Sequence, residues 1–160
     1  MWEEIVKTLG LEPLTQEGGL YKSSYRSKEM LDGNNIASAI YFMLKGDAFS
    51  HLHKLSTDEI YHFYKGDSVE LLCLYPDGIS EVITLGSDIT NGEQVQYVVK
   101  AGVWQGSRLK DGGTYALMGT TMAPGYREDD YIHALRDDLI SSYPEREELI
   151  KKLTGKLTYF

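Results

Sequence analysis

A single cysteine, Cys73, stands among the 160 residues, so the chain cannot close a disulfide on itself. Within LLCLY it reads as a small packed hydrophobe rather than a nucleophile. Basic residues are in deficit: 16 Lys and Arg against 24 Asp and Glu leave a net charge of −8. That balance lacks the clustered cations that hold phosphate backbones or anionic bilayers, and it sets aside nucleic acid and membrane surfaces as partners. No apolar run reaches the roughly 18 to 20 residues of a membrane span. The opening MWEEIVKTLG has neither the basic end nor the apolar block of a signal peptide, so a cytoplasmic chain is expected. Low-complexity tracts, Pro/Gly/Ser linkers and long helical repeats are also missing, and nothing marks a second unit. A chain of this length buries one core well and two poorly, so residues 1–160 are read as one domain.

What the chain does have is turns at short intervals. DGNN at 32–35, KGD at 45–47 and 65–67, PDG at 76–78, NGE at 91–93 and DGG at 111–113 punctuate short runs rich in β-branched and aromatic residues. ASAIYFML, EIYHFY, VELLCLY, SEVITL, VQYVV and TYALMGTTM are the clearest predicted strands. The pattern is that of an all-β sandwich or barrel with its core over about 19–123. Helices are expected only at the ends, over 2–10, closed by Gly10, and over 134–153, where Pro144 suits a first helical position.

Three of the four histidines fall in HLHKLSTDEIYHFYKG, residues 51–66. Alternation along a regular strand points His51 and His53 the same way and places Glu59 on one face with Tyr61 and Phe63. His62 has the opposite parity and is excluded from that set. Two imidazoles and a carboxylate suit a borderline divalent ion such as Zn, Fe, Mn or Ni, with positions left open for water or substrate. The alternative is a hydrogen-bonded polar cluster without metal. His133, in DDYIHALRDD, is read as a surface residue without chemistry, and REDD at 127–130 as a solvated loop.

The stretch from Gly46 through His51, His53 and Glu59 to Gly66 resembles the first signature of the cupin superfamily. In place of the second signature stands KAGVWQ at 100–105, with Gln105 where a fourth ligand would be. EGGLYKSSYRS at 17–27, MAPGYREDDY at 122–131 and SSYPEREELIKKLT at 141–154 extend the resemblance, over nearly the whole chain, to a small single-domain branch of that superfamily. The resemblance implies an RmlC-like jelly-roll (double-stranded β-helix) barrel with short terminal helices. It implies a candidate metal set of His51, His53, Glu59 and Gln105, although in that branch His53, Glu59 and His62 are the recurrent polar positions and His51 is more particular to this chain. It also implies a homodimer packed sheet to sheet, in which the GGLYKSSYRS strand is a candidate for exchange.

Shared architecture licenses no activity among germins, seed storage proteins and sugar-nucleotide epimerases. Three readings therefore stay open. One is a binding protein whose cavity holds a small polar molecule or sugar derivative, oriented by His53, Glu59 and Gln105. A second is a sugar or sugar-nucleotide epimerase or isomerase, with His51 or His53, sharpened by Glu59, as base and a cavity tyrosine such as Tyr61 or Tyr115 as acid. The third is a metal-dependent, dioxygenase-like enzyme with a two-histidine, one-carboxylate site. Phe63, Trp104 and Tyr115 are candidate ligand-contacting aromatics, and Arg26 is a candidate partner for an anionic group.

Overall fold

A computed structural model describes residues 1–160. Along the chain come helix α1 (Trp2–Leu9) and strands β1 (Glu12–Pro13), β2 (Leu20–Arg26), β3 (Met30–Leu31), β4 (Asn34–Asn35), β5 (Ser38–Lys45) and β6 (Phe49–Lys54). They are followed by β7 (Glu59–Gly66), β8 (Val69–Leu74), β9 (Ser80–Leu85), β10 (Gln96–Val99), β11 (Trp104–Leu109), β12 (Tyr115–Met122) and β13 (Ile132–His133). Helices α2 (Arg136–Ser142) and α3 (Glu147–Lys152) close the chain. A six-stranded sheet runs β1-β2-β5-β12-β7-β10 and a five-stranded sheet β13-β6-β11-β8-β9, with β3 and β4 a separate small hairpin. This is the jelly roll that the resemblance implies, built on the all-β layering expected from the turns, with the two sheets stacked rather than closed into a barrel.

Strand alternation explains where the apolar residues go. On β8, Leu71 and Cys73 pack between the sheets with Phe42, Tyr61, Phe63 and Met118. Leu72 and Leu74 face the other way, onto Leu139, Tyr143, Ile150 and Leu153 of the C-terminal segment. The unbroken apolar run of LLCLY thus belongs to a strand buried on both faces. Helix α1 lays Trp2, Ile5, Val6 and Leu9, spaced at one helical face, against Leu20, Met43 and Tyr115 on the outer side of the six-stranded sheet. Gly10 caps it in the left-handed region and returns its N–H to the Val6 carbonyl.

The expected helix over 134–153 divides in two. Tyr143 leaves helical geometry after α2, and Pro144, which has no N–H to continue the ladder, opens a 3₁₀ turn ahead of α3. Arg136 ties the two pieces together by donating to the Thr154 hydroxyl at 2.7 Å and to the Lys151 carbonyl at 3.0 Å. No helix is long and apolar enough to cross a membrane.

Gly66 closes β7 at φ 105°, and a Cβ added there would overlap the Tyr115 carbonyl oxygen on β12. Gly78, in the turn between β8 and β9, has φ 89° but open space around it. Gly78→Ala should cost the backbone term alone, about 1–2 kcal/mol. Gly66→Ala should cost a further ~1–3 kcal/mol, because backbone has to move. Urea midpoints of the two variants check this, and equal losses would contradict the close approach.

Candidate functional site

One end of the space between the sheets is filled by rings and the other opens as a cavity of about 170 Å³. Its walls come from the 13–17 segment, Tyr21 on β2, the first residues of β5, Thr120 and Met122 at the end of β12, and the 126–131 segment. His53 and Glu59, at facing ends of β6 and β7, both line it.

His53 is 1 % exposed, and its Nδ1–H donates to the His51 carbonyl at 2.7 Å. That bond fixes the neutral tautomer and leaves the Nε2 lone pair free. Tyr131 stacks on the imidazole with ring centroids 4.9 Å apart, which sets the ring plane. Burial holds the His53 pKa below its usual value, with Glu59 opposing.

Two carboxyl groups share the cavity. Glu59 is pushed up to about 7, first by burial and then by the charge of Glu17, against the pull of His53. Glu17 is also raised to about 7 by burial, partly offset by the Ser50 hydroxyl that donates to it. Part of the Glu17 side chain stays open to solvent while its carboxylate is enclosed. Both groups therefore exchange protons near neutrality, the condition for acid–base work. The Tyr126 hydroxyl, bonded to Gln16 Oε1 at 3.2 Å, lies on the same wall, with its pKa pushed up to about 12 by burial.

Residues 3–134 match the family model described as "Cupin superfamily (DUF985)". The chain belongs to the cupin superfamily. This cupin is 27% identical over 142 residues to the uncharacterized protein YML079W of Saccharomyces cerevisiae, covering 77% of this chain and 70% of that one. Among solved structures it is similar to protein SO0799 from Shewanella oneidensis, at 34% identity and TM-score 0.89 over 96% of each chain. It is also similar to a hypothetical protein from Leishmania major, at 28% identity and TM-score 0.89 over 96% of this chain and 98% of that one. Oxalate decarboxylase from Bacillus subtilis shares 18% identity at TM-score 0.58, over 89% of this chain and 37% of the enzyme. At that distance the likeness is one of fold.

The cupin strand β6 departs from the regular alternation expected of it. Opposite β11, Gln105 faces His53 and Ser107 faces Ser50, so three steps on β6 match two on β11. This β-bulge turns Ser50 and His53 inward together, and His51 does not line the cavity with His53. Instead the His51 ring stacks on His133 at 3.6 Å, and its Nδ1–H donates to the Leu52 carbonyl. Burial, more than the neighbouring histidines, pushes its pKa down to about 4. His133 is exposed, as expected, and lays its ring over His51 from the surface.

Other expected contacts fall elsewhere. Tyr61 is buried behind the site and donates to Gln105 Oε1 at 2.6 Å, with its pKa raised by burial and then by Glu59, so it supports Gln105 and does not face the cavity. Phe63 belongs to the filled end of the core. Tyr115 points outward beneath α1, because Ala116 and Met118 take the inward parity of β12. Trp104 packs on the outer face of its sheet, with the Lys54 ammonium 4.8 Å from its ring centre. Arg26 donates to Asn35 Oδ1 at 2.8 Å and to the Tyr126 carbonyl at 2.9 Å, and it does not line the cavity. His62 lies outside it as well, paired with the Thr121 hydroxyl at 3.1 Å.

The four positions that the resemblance assigned to a metal do not converge. His51 is diverted by the bulge, and Gln105 Oε1, a poor donor to transition metals, already accepts from Tyr61. No group of three or more His, Cys, Asp and Glu side chains is arranged to hold a metal ion. The residues present do not fit a transition-metal cofactor.

Sequence reasoning passed over Glu17, Tyr21, Tyr126 and Tyr131, which all line the cavity. Their signal lay in EGGLYKSSYRS and MAPGYREDDY, two segments that carried the family resemblance and were read as an exchange strand and a solvated loop rather than as cavity walls.

The raised carboxyl of Glu59 gives a pH signature. Its folded pKa of about 7 exceeds the usual 4.5, so its contribution to stability is complete below about 4.5 and is lost as pH rises through about 7. Glu59→Gln removes that loss. The variant should gain on the wild type by up to about 3 kcal/mol between pH 5 and pH 8. Urea unfolding of both proteins at the two pH values measures the difference, and a gap independent of pH would contradict the raised carboxyl.

Proposed function

We infer that this cupin binds a small polar molecule in the cavity and moves protons on it, in the manner of an isomerase or epimerase. The observation that carries the reading is the shared enclosure of two carboxyl groups, both near 7, with an imidazole whose Nε2 is free. A proton α to a carbonyl is taken by the His53 Nε2 lone pair while the carbonyl oxygen is protonated by whichever carboxyl of the Glu17/Glu59 pair holds a proton. Collapse of the resulting enediol returns a proton to carbon and restores both groups. A pair of carboxyls that titrates at neutrality supplies an acid and a base together, each worth typically 10²- to 10⁴-fold.

The cavity volume of about 170 Å³ is below the ~300–1,000 Å³ of pockets that enclose drug-sized ligands, so the reacting portion is no larger than a small sugar fragment. The sugar-nucleotide form of the reading has less support, because no lysine or arginine lines the cavity to hold a diphosphate. The homodimer also stands as a proposal. The outer face of the six-stranded sheet leaves Tyr64 uncovered beside Tyr41 and His62, a surface suited to a second copy.

With dihydroxyacetone and glyceraldehyde as probes in D₂O, the wild type should incorporate deuterium at the exchanging carbon. His53→Ala and Glu59→Gln should lose roughly 10²-fold or more of that rate. His62→Ala should retain it, and prior treatment with EDTA should leave it unchanged. Full exchange in the His53 variant, or none in the wild type, would overturn the assignment.

A further inference from the structure

Three carboxyl side chains, Glu17, Glu59 and Glu128, line the cavity, and no lysine or arginine does. The arginines on the flanking segments are engaged elsewhere. Arg26 holds Asn35 and the Tyr126 carbonyl, and Arg127 pairs with Asp130 at 3.4 Å. An anionic guest would meet carboxylates with no compensating cation, in a space where water screens poorly. Phosphates, sulfates and carboxylates are therefore repelled from the site, and this repulsion is itself a means of discrimination.

The remaining walls favour the opposite charge. Tyr21, Tyr126 and Tyr131 supply aromatic surface around the acidic groups, the combination that attracts ammonium ions with an organic body. An independent feature marks the same space as a ligand site. His53 is 1 % exposed, its Nδ1 is satisfied by the His51 carbonyl, and its Nε2 has no hydrogen-bond partner in the wall it helps form. The rest of the ring is buried, and this nitrogen on the cavity wall is placed to accept a donor from the guest, such as a hydroxyl. A bare metal ion does not meet the requirement, since no three donors of suitable type converge.

We propose that the cavity selects a small organic cation, a protonated amine carrying a hydroxyl or carbonyl group, with its ammonium drawn to the acidic wall at Glu59 and a hydroxyl donated to His53 Nε2. The proposal rests on the reading of the cavity as a small-molecule site and narrows the class of molecule it takes. Amino alcohols and amino sugars belong to that class, whereas sugar phosphates and nucleotides do not.

Three probes of nearly equal size separate charge from shape: ethanolamine, ethylene glycol and glycolate, positive, neutral and negative. Each is titrated against the full chain at pH 8 and constant ionic strength, with Tm as the readout. Ethanolamine should raise Tm in a concentration-dependent manner, ethylene glycol by less and glycolate not at all. The rise should vanish in Glu59→Gln and survive in Glu4→Gln, a variant on the exposed face of α1 that controls for the net negative charge. A Tm rise with ethylene glycol or glycolate equal to that with ethanolamine, lost in His53→Ala, would overturn the charge selection while leaving a small-molecule cavity in place. No response to ethanolamine, or an undiminished response in Glu59→Gln, would overturn the proposal outright. Deuterium exchange of dihydroxyacetone and glyceraldehyde is measured separately, so failure here and failure of the proton-transfer reading are distinguishable.

Discussion

One extra residue in β6 decides what the cavity contains. Without the bulge between Ser50 and His53, regular alternation would turn one of them outward, and Leu52 would leave the cluster beneath α2 and α3. With it, Ser50 reaches Glu17, His53 reaches the cavity, and Leu52 stays under the helices at 0% exposure. Two demands that conflict on a regular strand, an apolar outer face and a polar inner end, are met by one local irregularity. Its consequence for His51 is a buried, neutral imidazole stacked on His133 rather than a second inward nitrogen. Bulges are a common means of re-aiming a side chain beside a site, and here the bulge removes one donor as well as supplying another.

The electrostatics follow from that arrangement. Two carboxyl groups share one cavity with an imidazole and with no lysine or arginine on its wall, so neither carboxyl gains the ion pair that would hold its pKa low. A fold selected only for stability would pair or replace such groups, because a desolvated charge costs more than a neutral side chain of similar size. Their presence at an open cavity, rather than within the packed rings around Phe63 and Met118, is the usual sign that the unfavourable placement serves a ligand.

Much of the fold was legible in the sequence because alternation and turns are local signals. The six strands named from β-branched and aromatic runs are all present, and VELLCLY is apolar throughout because both of its faces are covered. The site was legible only in part. His53 and Glu59 lie on one cavity, but the count of residues that paired His51 with His53 assumed an unbroken ladder, and no local residue type announces the bulge. Tyr115 and Trp104 were ambiguous because an aromatic suits either face of a strand, and only the positions of α1 and the C-terminal helices decide which. Glu17 escaped notice because its role depends on a contact with Ser50, thirty-three residues away in the chain.

Fold and chemistry separate cleanly in this molecule. The fold is shared with proteins as distant as an oxalate decarboxylase, alike at 18% identity with TM-score 0.58. The features that set the cavity's charge, the bulge on β6 and the identities of residues 17, 59 and 128, are few and lie at strand ends or in connecting segments. Ladder geometry tolerates changes at such positions, because the backbone pairing of β6 with β11 does not depend on which side chain faces inward. A glutamine at 105 bound to Tyr61, in place of an imidazole, costs the jelly roll nothing it needs to fold. At this position the donor that a metal would use is replaced by an amide whose oxygen already accepts from Tyr61, a change made by one side chain and its neighbour on the adjoining sheet.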